Sequence, residues 1–228
     1  PDKLLTVVQL IPAMHAGGAE RSALEISRAL VQAGHRSVVI SAGGRLVAQL
    51  LAEGGEHITL DIGRKSLLTL LRLGKLRRVL RQLRPDIVHA RSRLPAWLGW
   101  WAMKGLSPRP HFITTVHGLN SPSRYSAILL RGERVVALSQ TMRASVLRPS
   151  RWLEPGRVRV IPRGIDPEAF PYGHRADDGW KTSFCAEYPS LMGAPLLTLT
   201  ARCTRLERQH DAIELVADIA VKLAQAER

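Results

Sequence analysis

Three segments of the chain carry residue types that could bind a ligand or act on it, and each follows a predicted strand. They are Gly17-Gly18-Ala19-Glu20-Arg21, His89-Ala90-Arg91-Ser92-Arg93 and the segment 114–125. In an open α/β sheet, ligands bind beyond the carboxyl ends of the strands. We therefore expect the turns that hold Gly18 and His117 to lie at one edge of a sheet and to form a single pocket.

The first segment is typical of a phosphate site. Gly17 and Gly18 let backbone N–H groups approach an anion at the N-terminus of the helix that follows. Two adjacent glycines are weak evidence, and a purely structural turn remains the alternative. The chain has neither Gly-x-Gly-x-x-Gly nor Gly-x-x-x-x-Gly-Lys-Ser/Thr, so a dinucleotide fingerprint and a P-loop are both unsupported.

The other two segments could bind an anionic or sugar-like acceptor. Arg91 and Arg93 place two guanidinium groups where they could hold an anion through paired hydrogen bonds, with solvated surface arginines as the alternative. The third segment puts an imidazole at a strand end, and its polar side chains suit a sugar, although a structural histidine is the other interpretation. The residues concerned there are His117, Asn120, Arg124 and Tyr125.

Strands and helices alternate along the sequence, which predicts an α/β fold: a parallel sheet with helices on both faces. Short apolar runs predict strands at 4–10, 37–41, 57–60, 86–90, 112–116, 135–138 and 158–161. Helical spacing predicts helices from about 19 to 31, then at 43–51, 66–83, 95–104 and 210–228. Gly34 follows the first of these helices, where a left-handed C-terminal cap is expected.

The pattern also predicts three parts of the chain. Residues 1–166 form the first domain, and 167–195, where Pro, Gly and aromatic residues replace the alternation, form a linker. Residues 196–228 begin a second unit, with a strand near 196–200 and a helix after it. One strand and one helix cannot close a sheet, so this second Rossmann-like unit is expected to be incomplete.

The chain is strongly basic, with a formal net charge of +14, and ten of its basic residues lie between Arg64 and Arg93 beside a single acid. Such a field attracts phosphate-rich partners. The helix at 66–83 has an apolar stripe beside a basic face, which predicts binding to an anionic membrane surface through Arg72, Lys75 and Arg78. A core-packed helix with a solvated face is the alternative. Nucleic-acid binding is not expected, because leucines and not exposed aromatic residues separate the bases.

Compartment and metal content are predicted from what the sequence lacks. No apolar run approaches the ~20 residues of a membrane-spanning helix, and the first residues do not have the form of a signal peptide. We expect a cytoplasmic protein, with peripheral binding to the inner face of the cytoplasmic membrane as an extension. Cys185 and Cys203 lie 18 residues apart with no Cys-x-x-Cys partner, so neither a disulfide framework nor a zinc site is expected.

Four motifs in order resemble those of family 4 glycosyltransferases, especially the bacterial enzymes that build lipopolysaccharide and other surface sugars. They are Gly17-Gly18-Ala19-Glu20, Pro85-Asp86-Ile87-Val88-His89-Ala90, Thr115-Val116-His117-Gly118 and Val160-Ile161-Pro162-Arg163-Gly164-Ile165-Asp166. The resemblance covers nearly the whole chain. It implies the GT-B fold, in which the first of two Rossmann-like domains binds the acceptor and the second binds a nucleotide-diphosphate sugar.

The resemblance also implies residue roles. A hexose-type sugar would be transferred with retention of anomeric configuration, without a metal or other cofactor, to a lipopolysaccharide or another phosphorylated or lipid-linked glycan. Gly17 and Gly18 would lie near the donor diphosphate. His117 would be the catalytic residue, in contact with the transferred sugar near its reacting carbon. Arg202 would bind the pyrophosphate and stabilise charge on the leaving nucleotide. Arg91, Arg93, Asn120, Arg124 and Tyr125 are the candidate acceptor-binding residues.

The chain departs from the family pattern around Arg202. The family segment reads Gly-Arg-x-x-x-x-Lys-Gly, whereas Ala201, Glu207 and Arg208 stand here at the glycine, lysine and second glycine. The family's Glu-x-x-x-x-x-x-x-Glu segment would lie beyond Arg228. We therefore expect this chain, as a truncated form, to bind the donor weakly and to catalyse little. The alternatives are a non-catalytic α/β module that binds anionic membranes or nucleic acid, and a GT-B epimerase or phosphorylase.

Overall fold

The computed structural model describes residues 3–64, 66, 69–118, 123–193, 198, 199 and 209–226. The chain divides into two compact units, residues 1–164 and 165–228, and each is described by itself. The predicted division into 1–166, 167–195 and 196–228 stays a prediction.

In the first unit, seven strands form one parallel sheet with the order β3-β2-β1-β4-β5-β6-β7. They are β1 (Thr6–Leu10), β2 (Arg36–Ser41), β3 (Glu56–Thr59), β4 (Ile87–Ala90), β5 (His111–Val116), β6 (Arg134–Ala137) and β7 (Val158–Val160). All seven predicted strands are confirmed within a few residues. The chain order reverses between β1 and β4, and that crevice is where open α/β sheets bind ligands.

Helices cover both faces of this sheet, as predicted. The first unit has α1 (Gly18–Gln32), α2 (Val47–Ala52), α3 (Thr69–Leu83), α4 (Arg93–Ala102) and α5 (Gln140–Leu147). The larger apolar core joins Val8 and Leu10 of β1 to α3 and α4, and the smaller one lies under α1 and α2. Gln9 lies between Val8 and Leu10 in β1 and points to the opposite face of the sheet, where its side-chain amide donates to the carbonyl of Ala23 in α1. This alternation is what a strand buried on both faces requires.

Helix α1 ends at the predicted glycine. Gly34 has φ of 80°, and the N–H of His35 donates to the carbonyl of Leu30 at 2.8 Å while the N–H of Gly34 donates to that of Val31. A left-handed glycine closing the last turn is the arrangement expected of such a cap. The cap fixes where β2 begins.

One predicted helix start was wrong, and one helix was missed. Helix α2 begins at Val47 and not at the glycine pair, because Gly43 and Gly44 both have positive φ and a Cβ on Gly44 would collide with the backbone of Met14. Helix α5 was not predicted at all. Its N-cap is Ser139, whose hydroxyl accepts the N–H of Met142 at 3.1 Å, and a serine in that position is a signal readable from sequence.

The second unit contains two α-helices in its described part, α6 (Asp178–Glu187) and α7 (Gln209–Ala226). Helix α6 lies inside the segment predicted as a linker, so that segment is not devoid of regular structure. Asp177 caps it by accepting the N–H of Trp180 at 2.7 Å. Most of the predicted strand at 196–200 and the whole loop 201–208 lie outside the described residues, so the second Rossmann-like unit stays a prediction.

Candidate functional site

The candidate site lies at the carboxyl edge of the sheet, beyond β1, β4 and β5. Because β4 lies between β1 and β5, the residues that follow these strands are brought together. Arg91 follows β4 directly, His117 follows β5 directly, and Gly17 and Gly18 begin α1 after the loop from β1. The first and third segments therefore lie at the same edge of the sheet, as expected, and their forming a single pocket stays a prediction.

Arg163, which follows β7, links Gly18 to His117. Its Nη2 lies 3.0 Å from Nδ1 of His117, and a Cβ placed on Gly18 would collide with its Nη1. Gly17 is confined in a different way, because a Cβ there would lie 2.5 Å from the Glu20 carboxylate. Gly18 and His117 thus both lie against the guanidinium of Arg163.

Arg91 is buried, only 3% exposed. Its Nε donates to Oε1 of Gln9 at 2.8 Å and its Nη1 donates to Oγ of Ser22 at 3.2 Å. Its Nη2 is buried and has no hydrogen-bond partner among the described residues. Two sides of the guanidinium are therefore fixed to β1 and α1, and one nitrogen is left for a ligand. The acceptor-binding role of Arg91 stays a prediction.

Two histidines lie beside these arginines and are held neutral. Burial, followed by the charges of Arg91 and Arg163, lowers the pKa of His117 to about 3. Burial, then Arg91 and His117, lowers the pKa of His89 well below its usual value, and Nε2 of His89 lies 2.7 Å from the hydroxyl of Thr115. Burial, with Arg163 beside it, also lowers the pKa of Arg91 to about 10, so Arg91 is cationic at neutral pH.

Nε2 of His117 is the other polar atom that stands out. It is buried and has no hydrogen-bond partner among the described residues. Leaving a buried polar group unpaired costs roughly 1–3 kcal/mol, so such atoms often mark a place where a ligand binds. The site therefore offers two guanidinium groups, a helix N-terminus and an unpaired imidazole nitrogen, which together suit an anionic ligand with polar substituents.

The predicted acceptor residues form a second cluster beside this one. The guanidinium of Arg93 lies over the ring of Tyr125, with 5.2 Å from its Cζ to the ring centroid. Arg124 lines a cavity of about 500 Å³ that is walled mainly by apolar side chains and also touches Val116 and Gly118. Val116 and Gly118 are the chain neighbours of His117, whose own side chain is not among the residues that line this cavity. Asn120 lies outside the described residues.

The donor-side predictions near 202 are not represented in the structure. Arg202, Ala201, Glu207 and Arg208 all lie outside the described residues. The roles of Gly17, Gly18 and His117 are consistent with their positions and stay predictions. Sequence reasoning did not single out Arg163, Gln9 or Ser22. Arg163 could have been found as the only charged residue between the last strand and Asp166, whereas Gln9 and Ser22 become visible only from the fold.

On helix α3 the three predicted membrane-facing residues differ in environment. Arg72 is half-buried and forms an ion pair with Asp61, 3.3 Å from its Nη2 to Oδ2. Lys75 and Arg78 are exposed. The opposite side of the helix packs into the larger core through Leu76 and Leu80, both fully buried. Core packing thus accounts for the apolar stripe, while the role of the basic face in membrane binding stays a prediction.

Two further features are absent from the described residues. None of the helices described is both long and apolar enough to cross a bilayer. In that same part of the chain, no three His, Cys, Asp or Glu side chains are grouped so that they could hold a metal ion. The expectations of no metal and no cofactor stay predictions.

A parallel, helix-covered sheet with a cationic strand-end site defines a Rossmann-like binding domain. The profile of Glycosyltransferase Family 4 matches residues 16–169, which is more than half of the chain, and the chain therefore belongs to that family. A search of curated proteins found no match.

Three solved structures share the fold. A glycosyltransferase from Rickettsia africae is 30% identical with a TM-score of 0.72, over 89% of this chain and 54% of that one. HepE from Anabaena, solved with UDP and glucose, is 17% identical to this chain with a TM-score of 0.62, and the match covers 80% of this chain and 50% of that one. The lipopolysaccharide outer core galactosyltransferase WaaB is 14% identical with a TM-score of 0.54, and the match covers 71% of this chain and 46% of that one. The chain thus spans about half the length of these proteins.

Proposed function

We propose that this chain forms the acceptor-side half of a retaining, nucleotide-sugar-dependent glycosyltransferase. The transferred group would be a hexose-type sugar, and the acceptor a lipopolysaccharide or another surface glycan. The observation that carries the proposal is the meeting of Gly18, His117 and Arg163 at one strand edge. Membership of family 4 supports it, and so does the UDP–glucose pair bound by the Anabaena relative.

The electrostatics of the site favour a diphosphate. Arg91 and Arg163 are cationic at neutral pH, and the N-terminus of α1 adds a partial positive charge of about half a unit. At an effective dielectric constant of about 20, a unit pair 4 Å apart interacts by about 4 kcal/mol. Two arginines and a helix end therefore offer a diphosphate a substantial attraction. The same charges would stabilise negative charge that develops on a leaving nucleotide.

His117 is suited to bind the sugar and not to remove a proton from it. A base whose conjugate acid has a pKa of about 3 is a poor proton acceptor at neutral pH. A neutral imidazole can still form a hydrogen bond with a sugar hydroxyl or ring oxygen. We therefore assign His117 a binding role beside the reacting carbon.

The acceptor would lie against the second cluster. Arg93 and Tyr125 stack on each other, and Arg124 borders the apolar cavity next to His117. Guanidinium groups bind phosphate oxygens, and aromatic faces pack on sugar rings. A phosphorylated or lipid-linked glycan combines the anionic, polar and apolar parts that these residues could contact.

The proposal is tested by measuring the binding of UDP, UDP-glucose and inorganic pyrophosphate to the chain by ligand-observed NMR. We expect weak binding that Arg163→Ala weakens about tenfold, because a charged hydrogen bond is worth about 1.5–3 kcal/mol. Arg159→Ala is the matched control, since Arg159 is an exposed arginine on β7, and it should leave the affinity unchanged. Equal affinities in all three proteins, or no binding at all, would refute the proposal.

A second candidate function, attachment to an anionic membrane, is favoured by the exposed Lys75 and Arg78 on α3. Each basic residue near an anionic surface contributes about 1 kcal/mol, so Lys75→Glu with Arg78→Glu should weaken liposome binding at least about tenfold. Arg159→Glu should have a smaller effect. A protein that binds anionic membranes in this way would work at the inner face of the cytoplasmic membrane.

Titrating single-stranded oligonucleotides at several salt concentrations tests the nucleic-acid alternative, because such binding falls steeply with salt.

A further inference from the structure

The hydrogen bond between Arg163 and His117 can run in only one direction. A guanidinium has N–H donors and no acceptor, so Nη2 of Arg163 donates and Nδ1 of His117 accepts at 3.0 Å. Nδ1 therefore carries no proton. The ring is neutral at physiological pH, and a neutral imidazole has one N–H, so that proton must be on Nε2.

Nε2 is the atom of His117 that has no partner among the described residues. We propose that Arg163 is a positioning residue that fixes the Nε2–H tautomer of His117 and directs this N–H toward an oxygen of the transferred sugar. The identity of the ligand rests on the proposed function, whereas the tautomer does not. The group that His117 recognises must then be a hydrogen-bond acceptor, such as a hydroxyl or ring oxygen.

Gly18 is needed for this arrangement. The guanidinium of Arg163 occupies the space that a side chain at position 18 would fill, since a Cβ there would collide with Nη1. The absence of a Cβ thus serves the positioning of Arg163, in addition to any approach of phosphate to the backbone. The Arg163 side chain is flexible, so an alanine at position 18 would displace it and leave the backbone in place.

The charged groups that face His117 all favour the neutral form of its ring. Arg91 and Arg163 both disfavour a second proton on the ring, and His89 is itself held neutral. Among the described residues, neither carboxylate nor thiolate contributes to the pKa of His117. The ring therefore stays neutral, and the direction of the Arg163 hydrogen bond alone selects between its two tautomers.

The tautomer can be measured directly on the ligand-free chain by long-range ¹⁵N–¹H correlation NMR with ¹⁵N-labelled histidine. In the wild type we expect His117 Nδ1 at the shift of an unprotonated acceptor and Nε2 at that of a protonated nitrogen. Arg163→Ala should move both nitrogen shifts toward the average of the two neutral tautomers in exchange. It should also raise the pKa of His117, because a neighbouring positive charge is removed. Gly18→Ala should move them in the same direction, because it displaces the guanidinium.

Arg159→Ala is the control and should leave the His117 spectrum unchanged. The proposal is overturned if the wild-type ring carries its proton on Nδ1, or if Arg163→Ala leaves both nitrogen shifts where they were. The test uses no ligand, so it is independent of donor binding. A chain with the expected tautomer that bound no nucleotide sugar would refute the proposed function and remove the sugar as the partner of Nε2, while leaving the Arg163–His117 geometry intact.

Discussion

Acid should destabilise this protein through His117, and His117→Gln should remove that part of the effect. Burial and two neighbouring arginines lower the pKa of His117 from 6.5 to about 3. Between these values the unfolded chain binds a proton that the folded chain does not, so the free energy of unfolding falls as the pH falls. A glutamine does not titrate, and its side-chain oxygen can still accept a hydrogen bond from Arg163.

The magnitude follows from the size of the shift. Each pKa unit corresponds to about 1.36 kcal/mol, so lowering the pH from about 6.5 to about 5 should cost the wild type about 2 kcal/mol more than the variant. The full shift corresponds to about 5 kcal/mol, reached only near pH 3. The carboxylates are present in both proteins, so their contributions cancel in the difference. His117 is itself one of the smaller causes that lower the pKa of His89, so the variant loses that part of the acid sensitivity as well.

Urea unfolding followed by tryptophan fluorescence measures this difference at each pH. Trp97, Trp100, Trp101 and Trp152 lie in the first unit, and only Trp180 does not, so the signal reports mainly on the unit that contains the site. Similar dependence on urea concentration in both proteins would establish that they unfold comparably. If the two stabilities stayed parallel from pH 6.5 to 5, His117 would not be held neutral and the electrostatic description of the site would be wrong.

Three further predictions concern stability. Gly99→Ala should lower the free energy of unfolding by about 1–3 kcal/mol, because the new Cβ would lie 2.6 Å from a methyl group of the buried Leu10. Gly74→Ala on α3 meets nothing within 4 Å and should raise the free energy of unfolding by about 0.4–1 kcal/mol. Urea unfolding measures both changes, and equal changes in the two variants would contradict the packing described around Gly99. Arg91→Leu should lower the free energy of unfolding by roughly 1–3 kcal/mol for each polar partner left buried, and an unchanged midpoint would mean that those bonds do not form. Asp177→Ala should reduce the helical circular dichroism of α6 and cost about 1 kcal/mol, and full helicity would show that the cap is dispensable.

Much of the fold could be predicted from the sequence because the first unit is built on one repeated signal. Buried parallel strands such as β2 and β5 read as short apolar runs, and helices with one apolar face fall between them. Helix boundaries at glycine were less predictable. Gly34 ends α1 as expected, but the pair at Gly43 and Gly44 forms a turn and not the start of a helix. The positive φ values of this pair show the turn, and the sequence alone does not.

The site was partly predictable. His117 and Gly18 were identified because they follow strands directly, and position along the chain is visible in sequence. Arg163 was missed as a site residue because it follows β7, three strands away from β4 in the sheet, and reaches the site only through the length of its side chain. Likewise, the sequence could not reveal that Arg91 is buried, since its partners Gln9 and Ser22 come from elements far away in the chain.

The central claim is that Gly18 and His117 border one pocket for a phosphorylated sugar. Protein-observed NMR tests it most directly, by following backbone amides and the His117 ring while UDP-glucose is added. We expect the resonances of Gly17, Gly18 and His117 to shift together with a single dissociation constant, while that of Gly74 on α3 stays unchanged. Shifts confined to other parts of the chain, or different dissociation constants for Gly18 and His117, would contradict it.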